Sequence, residues 1–184
     1  MKSVVSFRRA AAPLIVSLVL AGCGSLPPLQ HVMLSPPQTE RLPSRPSDWE
    51  VRRVQMPEYL DNYDIQIRTG DYVLTQLPDA KWAERLPLAT TRLLQQTIDE
   101  KLQNQRDRPY EVHVTVGTFE PQPPGHIVLS ASWRVTDGRD ELVARDDTLI
   151  EKPLPQGELE ANTIGRTMSS AIRELAMQIV AHAG

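Results

Sequence analysis

The chain of 184 residues is 40% hydrophobic and 23% charged with a formal net charge of −3; these proportions suit one globular domain and exclude collagen-like, coiled-coil and multi-span membrane chains. A single cysteine, Cys23, excludes an internal disulfide framework and any multi-cysteine zinc or iron–sulfur site. Sixteen prolines outnumber nine glycines, and Pro27, Pro28, Pro36, Pro37, Pro43 and Pro46 all fall between Cys23 and Trp49, so a stiff segment precedes the body.

The amino terminus has the layout of an export signal. Lys2, Arg8 and Arg9 form a positive head, Ala10 to Leu20 an apolar run, and Ala21-Gly22 a pair of small residues before a cut. The apolar run is too short for the roughly 30 Å of a bilayer core, so residues 1–22 are expected to be cleaved. Leu20-Ala21-Gly22-Cys23 resembles the lipobox of bacterial lipoproteins. That resemblance implies that Cys23 becomes the first residue, carrying a diacylglyceryl thioether and an N-acyl chain such as palmitate, and three acyl chains hold a protein firmly on a bilayer. Gly24 follows instead of the Asp that resembles an inner-membrane retention signal, which favours the outer membrane with the body facing the periplasm. Removing Lys2, Arg8 and Arg9 from the 20 basic residues leaves 17 against 23 acids, so the mature chain carries about −6 and nucleic acid is not an expected partner.

Residues 23–48 read as the lipidated Cys and a proline-rich tether, with His31-Val32-Met33-Leu34 as a candidate edge strand. A single domain is expected over 49–184. Glu50 to Gln55 alternates and stops at Pro57, predicting a short strand. Asp64 to Arg68 and Asp71 to Thr75, joined through Thr69-Gly70-Asp71, predict a hairpin. Lys81 to Arg85 reads as a turn of helix before Pro87, and the spacing of Leu86, Thr90, Leu93, Leu94, Thr97, Ile98 and Leu102 predicts a helix to about Asn104.

Three long strands follow. Tyr110 to Phe119 places Val112, Val114 and Val116 on one face and His113, Thr115 and Phe119 on the other. Ile127, Leu129, Ala131, Trp133 and Val135 form one face of the next strand, reached through Pro121-Gln122-Pro123-Pro124-Gly125. Thr136-Asp137-Gly138-Arg139 turns into a weakly alternating strand over 141–151, and a helix from about 158 to 182 presents Ile164, Met168, Ala171, Ile172, Leu175, Ile179 and Val180 as one stripe. The expected class is α+β: a mixed, mainly antiparallel sheet with two amphipathic helices packed on one face.

Catalytic patterns are sparse. His31, His113, His126 and His182 lie in four contexts without metal-type spacing, and His113 reads as a sheet-face residue. Ser169-Ser170 lacks a nucleophile elbow, no glycine-rich phosphate loop occurs, and no nucleophile–base pair supports an envelope hydrolase. Asp146-Asp147 and Asp61 with Asp64 read as solvated charges, since adjacent strand residues point to opposite faces. Trp133 is expected in the core, whereas Trp82, flanked by Lys81 and Glu84-Arg85, is expected to be semi-exposed. No enzyme activity, cofactor or metal is expected.

Pro57-Glu58-Tyr59-Leu60-Asp61, Ile65-Gln66-Ile67-Arg68-Thr69 and Lys81-Trp82-Ala83-Glu84-Arg85-Leu86 resemble the ABC-type transport auxiliary lipoproteins, the PqiC/YmbA-like family. The run Val112 to Phe119, the pattern Gly125 to Trp133 and the alanine-rich last helix are similar too. His31-Val32-Met33-Leu34 stands where members often carry an aromatic pair. The resemblance implies a non-enzymatic docking subunit on the periplasmic face of the outer membrane. Its partners would be the membrane, through the acyl chains, an MCE-domain (PqiB-like) protein of an intermembrane lipid transport system, and further copies in a homo-oligomeric ring. Tyr59, Leu60 and Trp82 are the partner-binding residues it suggests. The alternative is a stand-alone periplasmic lipid carrier or outer-membrane assembly lipoprotein, which would need a cavity for acyl chains.

Overall fold

A computed structural model describes residues 28–34, 46–102, 108–155 and 159–184; the expected signal segment, residues 1–22, and Cys23 lie outside the described residues. Among those described, the strands are β1 (Gln30–Val32), β2 (Trp49–Val51), β3 (Asp64–Gly70), β4 (Val73–Trp82), β5 (Tyr110–Gln122), β6 (His126–Asp137) and β7 (Leu142–Pro153). The helices are α1 (Leu86–Lys101), between β4 and β5, and α2 (Ala161–Ala183), after β7. The α+β class is as expected, but the strands divide into two sheets, β1-β4-β3 and β2-β5-β6-β7. The β3–β4, β5–β6 and β6–β7 pairs are antiparallel, whereas β1 with β4 and β2 with β5 are parallel.

One face of the four-stranded sheet supplies most of the core. Val112, Val114 and Val116 of β5, Ile127, Leu129 and Val135 of β6, and Ile150 of β7 are all buried. Both helices cover that face, α1 against β2 and α2 against β6 and β7, and they also pack on each other. Leu93, Leu94 and Ile98 of α1 and Ile164, Ile172, Leu175 and Ile179 of α2 are fully enclosed; each such side chain stabilises the fold by about 1.5–3 kcal/mol. Arg173 of α2 reaches Glu100 of α1 at 3.1 Å, tying the helices at their polar margin.

The expected alternation fails once, instructively. Phe119 is buried on the same side as Val112, Val114 and Val116, because the register shifts between Val116 and Thr118. A bulge there inserts one residue around Gly117 and flips every later side chain. Beyond it β5 continues to Gln122, and the link to β6 shortens to Pro123-Pro124-Gly125, with a cis bond between the prolines and Gly125 at φ 119°, a value that favours glycine. The β6–β7 turn is where the sequence places it. The Asp137 carboxylate accepts the backbone N–H groups of Arg139 and Glu141 at 2.8 and 3.0 Å, and these bonds hold its carboxyl below the usual range.

One segment differs from expectation near the amino-terminal half. Lys81 and Trp82 extend β4 instead of starting a helix; Trp82 donates its backbone N–H to Tyr63 O at 2.7 Å, and α1 begins at Leu86 with Pro87 in its first turn. The edge strand expected at His31-Val32-Met33-Leu34 forms within the proline-rich stretch as β1, which pairs with β4, Gln30 opposite Ala80 and Val32 opposite Trp82, and Val32 and Leu34 are buried. Pro27 and Pro28 precede this strand, while Pro36, Pro37, Pro43 and Pro46 lie in the connection to β2.

Helix α1 seals the β2 edge with side chains that imitate a neighbouring strand. Gln95 accepts Val51 N–H at 2.8 Å and donates to Trp49 O at 2.9 Å, and Thr91 Oγ1 accepts Val54 N–H at 2.9 Å. Asp99 accepts both the backbone N–H and the hydroxyl of Ser47, at 2.9 and 2.6 Å. Without these bonds the edge would carry unpaired backbone donors in a partly buried position. The opposite edge, β7, has no strand beyond it among the described residues, and there Leu142, Val143 and Leu149 are exposed. That exposure accounts for the weak alternation of the β7 sequence.

β1 lies close to α2 because position 165 is glycine. A Cβ built there would sit 2.6 Å from Val32 Cγ1. Gly165→Ala gains up to about 1 kcal/mol of helix propensity but forces β1 outward at a cost of about 1–3 kcal/mol. The net expectation is a loss of about 1 kcal/mol, read as a lower urea midpoint at unchanged slope.

Candidate functional site

The seam between the two sheets is held by a buried charge. Glu120, on β5 beyond the bulge, has a side chain with no solvent exposure. Its Oε1 accepts from Arg68 Nε at 2.9 Å, Arg68 Nη2 at 2.8 Å and Gln122 Nε2 at 3.2 Å. Its Oε2 accepts the Tyr59 hydroxyl at 3.1 Å and the Phe119 backbone N–H at 3.2 Å. A carboxylate removed from water needs this many donors to remain charged without a large desolvation cost. Burial, and then the adjacent carboxylate, push the Tyr59 phenol above its usual value, while hydrogen bonding to Glu120 raises the Arg68 guanidinium still further. Nothing in the strand pattern marked Glu120; the available signal was an acid between Phe119 and Pro121, both of which are buried.

Of the residues suggested for partner binding, Tyr59 therefore spans the seam, with its ring partly buried and its hydroxyl on Glu120. Leu60 and Trp82 are 2% and 3% exposed and belong to the core. The expectation of a semi-exposed Trp82 is corrected. As the last residue of a strand between β1 and β3 its side chain turns inward, even though Lys81 and Ala83 beside it are exposed. In the segment that replaces the aromatic pair, Val32 and Leu34 face inward and His31 and Met33 face solvent.

The other face of the four-stranded sheet is covered by neither helix. Its central row crosses three strands in register: His113 opposite Arg134, and Arg134 opposite Arg145. Arg52, just past β2, joins this row and reaches Glu50 at 2.9 Å and Glu111 at 3.8 Å; His113 Nε2 stands 3.6 Å from Glu111. Arg134 and Arg145 form no ion pair among the described residues, although like charges directly opposite on neighbouring strands repel. Thr115, Ser132 and Asp147 form the next row, and the whole lines an open, mostly polar concavity of about 1070 Å³. Chemically such a surface binds a charged or hydrogen-bonding partner and has nothing to enclose an acyl chain.

The remaining acids are tied structurally. Asp146 and Asp147 point to opposite faces, the former 3.8 Å from His182 of α2 and the latter opposite Ser132. Asp61 is held by Arg53 and Arg85, and Asp64 by Lys81 at 3.0 Å. The described residues contain no group of three or more His, Cys, Asp or Glu side chains placed to hold a metal ion.

Comparison with known proteins gives a family and a fold. Residues 32–180 match the family described as the ABC-type transport auxiliary lipoprotein component. A crystal structure of an uncharacterized protein superposes with a TM-score of 0.69 at 15% identity, covering 85% of this chain and 99% of the other. A Xanthomonas campestris protein of the DUF330 family superposes with a TM-score of 0.59 at 14% identity, covering 84% and 91%. At these identities the likeness is one of fold. None of the curated proteins matches the sequence.

The Glu120 cluster makes two measurable statements. Glu120→Ala strands the Arg68 guanidinium and is expected to lower stability by about 3 kcal/mol, with Glu120→Gln costing less because it still accepts hydrogen bonds. The Tyr59 phenol, raised in the folded chain above its unfolded value of about 10, contributes stability that is complete below about pH 10 and lost as pH rises through the folded value. Urea midpoints from pH 9 to 11.5 should therefore fall more steeply in the wild type than in Tyr59→Phe. Parallel curves would show that the phenol titrates alike in both states.

Proposed function

The chain belongs to the ABC-type transport auxiliary lipoprotein family, and on that premise we propose that it is an outer-membrane-anchored periplasmic docking subunit of an MCE-type intermembrane lipid transport system. The observation that carries the reading is the family match over 32–180 immediately downstream of the lipobox at Cys23. Anchoring falls to acyl chains on Cys23; among the described residues no helix is long and apolar enough to cross a membrane.

The distribution of polar and apolar surface supports docking over carriage. Both helices lie directly on the sheet, and Leu129, Phe119 and Ile172 fill the space between the layers with at most 1% exposure. Opposite them lies the open polar face with Arg134 and Arg145 side by side. A carboxylate from the partner protein would relieve their repulsion and fix register, whereas a carrier of lipid tails would put its space between sheet and helices. The non-enzymatic reading follows the same logic: the acids and histidines are dispersed or tied into structural pairs.

Two experiments bear on this reading. Cys23→Ser should yield a folded protein that leaves the membrane fraction, and firm membrane retention would contradict the anchor. Crosslinking in intact envelopes should recover an MCE-domain protein with the wild type. Arg134→Glu combined with Arg145→Glu should cut that yield several-fold while shifting stability by no more than about 0.5 kcal/mol per exposed site. An undiminished yield would place the contact elsewhere.

A further inference from the structure

The parallel pairing of β1 with β4 sets the end of the body from which the chain enters β1, and the inference drawn from it rests on the anchor proposed at Cys23. Gln30 stands opposite Ala80, and because the two strands run the same way, the chain enters β1 from the end of the body that carries the β3–β4 turn. Seven residues separate Cys23 from Gln30, and the same number separates Val73, the first residue of β4, from Ala80. At about 3.3 Å per residue, seven residues span no more than about 23 Å. The acylated cysteine therefore cannot hold the body farther from the bilayer than the hairpin itself projects.

That hairpin carries apolar surface that no other described residue covers. Tyr72, in the turn, is 98% exposed and Val73 54%. Beside the start of β1 an open, mainly apolar hollow of about 840 Å³ is lined by Leu29, Leu77, Pro78, Leu159 and Ala161. Leu29 and Leu159 are themselves 47% and 42% exposed. The charged residues nearby are Asp71, Asp79 and Glu160, and the one cation of the hairpin tip, Arg68, is committed to Glu120 and to the Asp71 carbonyl at 3.2 Å. This last bond couples the turn to the buried seam and fixes how the tip is presented.

We infer that the β3–β4 hairpin tip, through Tyr72 and Val73, rests in the headgroup interface of the bilayer that holds Cys23. A tyrosine ring suits this place because its body is apolar and its hydroxyl stays hydrated. The contact is apolar in origin. It requires no anionic lipid and is insensitive to salt, in contrast to a polybasic contact. Its role is orientation: the acyl chains supply the attachment, and the tip restricts rotation of the body about it.

The test uses the acylated protein in phosphatidylcholine vesicles. Thioether formation consumes Cys23, so Tyr72→Cys and, separately, Ala83→Cys each offer one thiol for an environment-sensitive dye. Ala83 is exposed and lies just past the far end of β4, ten residues from Val73 and about 33 Å along the strand. The expected result is a blue-shifted emission at position 72, quenched several-fold more strongly by shallow doxyl-labelled lipid than the dye at position 83, and unchanged at high salt. Equal quenching at the two positions, or stronger quenching at 83, overturns the orientation. Co-sedimentation with vesicles reads the anchor independently: protein that sediments while the dye at 72 stays in a water-like environment refutes the tip contact alone, and protein that fails to sediment refutes anchor and contact together.

Discussion

The four-stranded sheet must be covered on one face only, and this asymmetry governs the rest of the molecule. Val112, Val114, Leu129 and Ile150 present a continuous apolar surface that a single helix is too narrow to shield. α1 and α2 lie side by side to do so, joined at their polar margin by Arg173 and Glu100. With both helices committed to that face, the other is left to water beyond the seam at Glu120, and its alternate positions, His113, Ser132, Arg134 and Arg145, form an open polar surface. The lateral limits follow as well: α1 closes the β2 edge with Gln95 and Thr91, whereas β7 stays open.

The second sheet is attached by different physics. Among the described residues its strands form no ladder with those of the first, so its position depends on packing and on the carboxylate of Glu120, which gathers donors from the β2–β3 loop, from β3 and from β5. A buried ion pair adds little net stability against an apolar alternative but is unforgiving of displacement, because any shift exposes an unmet charge to a low-dielectric surrounding. The cluster thus sets the angle of the β3–β4 hairpin, and through Arg68 and the Asp71 carbonyl it reaches the hairpin tip. At the opposite side of this sheet β1 approaches α2 closely enough that only Gly165 fits beneath Val32. One small sheet is thereby pinned at two places by features that have no bulk of their own.

Much of this was legible locally. The helical spacing from Leu86 to Leu102 and the stripe from Ile164 to Val180 emerge as α1 and α2, and the alternation from Ile127 to Val135 emerges as the buried face of β6. Two of these local readings needed correction, each where a non-local partner overrides a local pattern. Phe119 moves to the buried face because the Gly117 bulge changes the phase, and a bulge leaves little trace in composition. Lys81 and Trp82 sit in a strand because β1 and β3 flank them, despite a helix-compatible sequence. The edge strand read at His31 to Leu34 does form, as β1, because Val32 and Leu34 find a place in the core.

By itself the sequence determined the lipobox and its single cysteine, the α+β class, the amphipathic helices and the scarcity of catalytic groups, since each depends on composition or on spacings of a few residues. The tertiary structure alone decided the division into two sheets, the burial of Leu60 and Trp82 in the core, the placement of Glu120 at the seam and the facing pair Arg134 and Arg145. These properties depend on which strands become neighbours and in what register, and pairing between residues fifty positions apart is selected by the global burial of apolar surface, which no local window records.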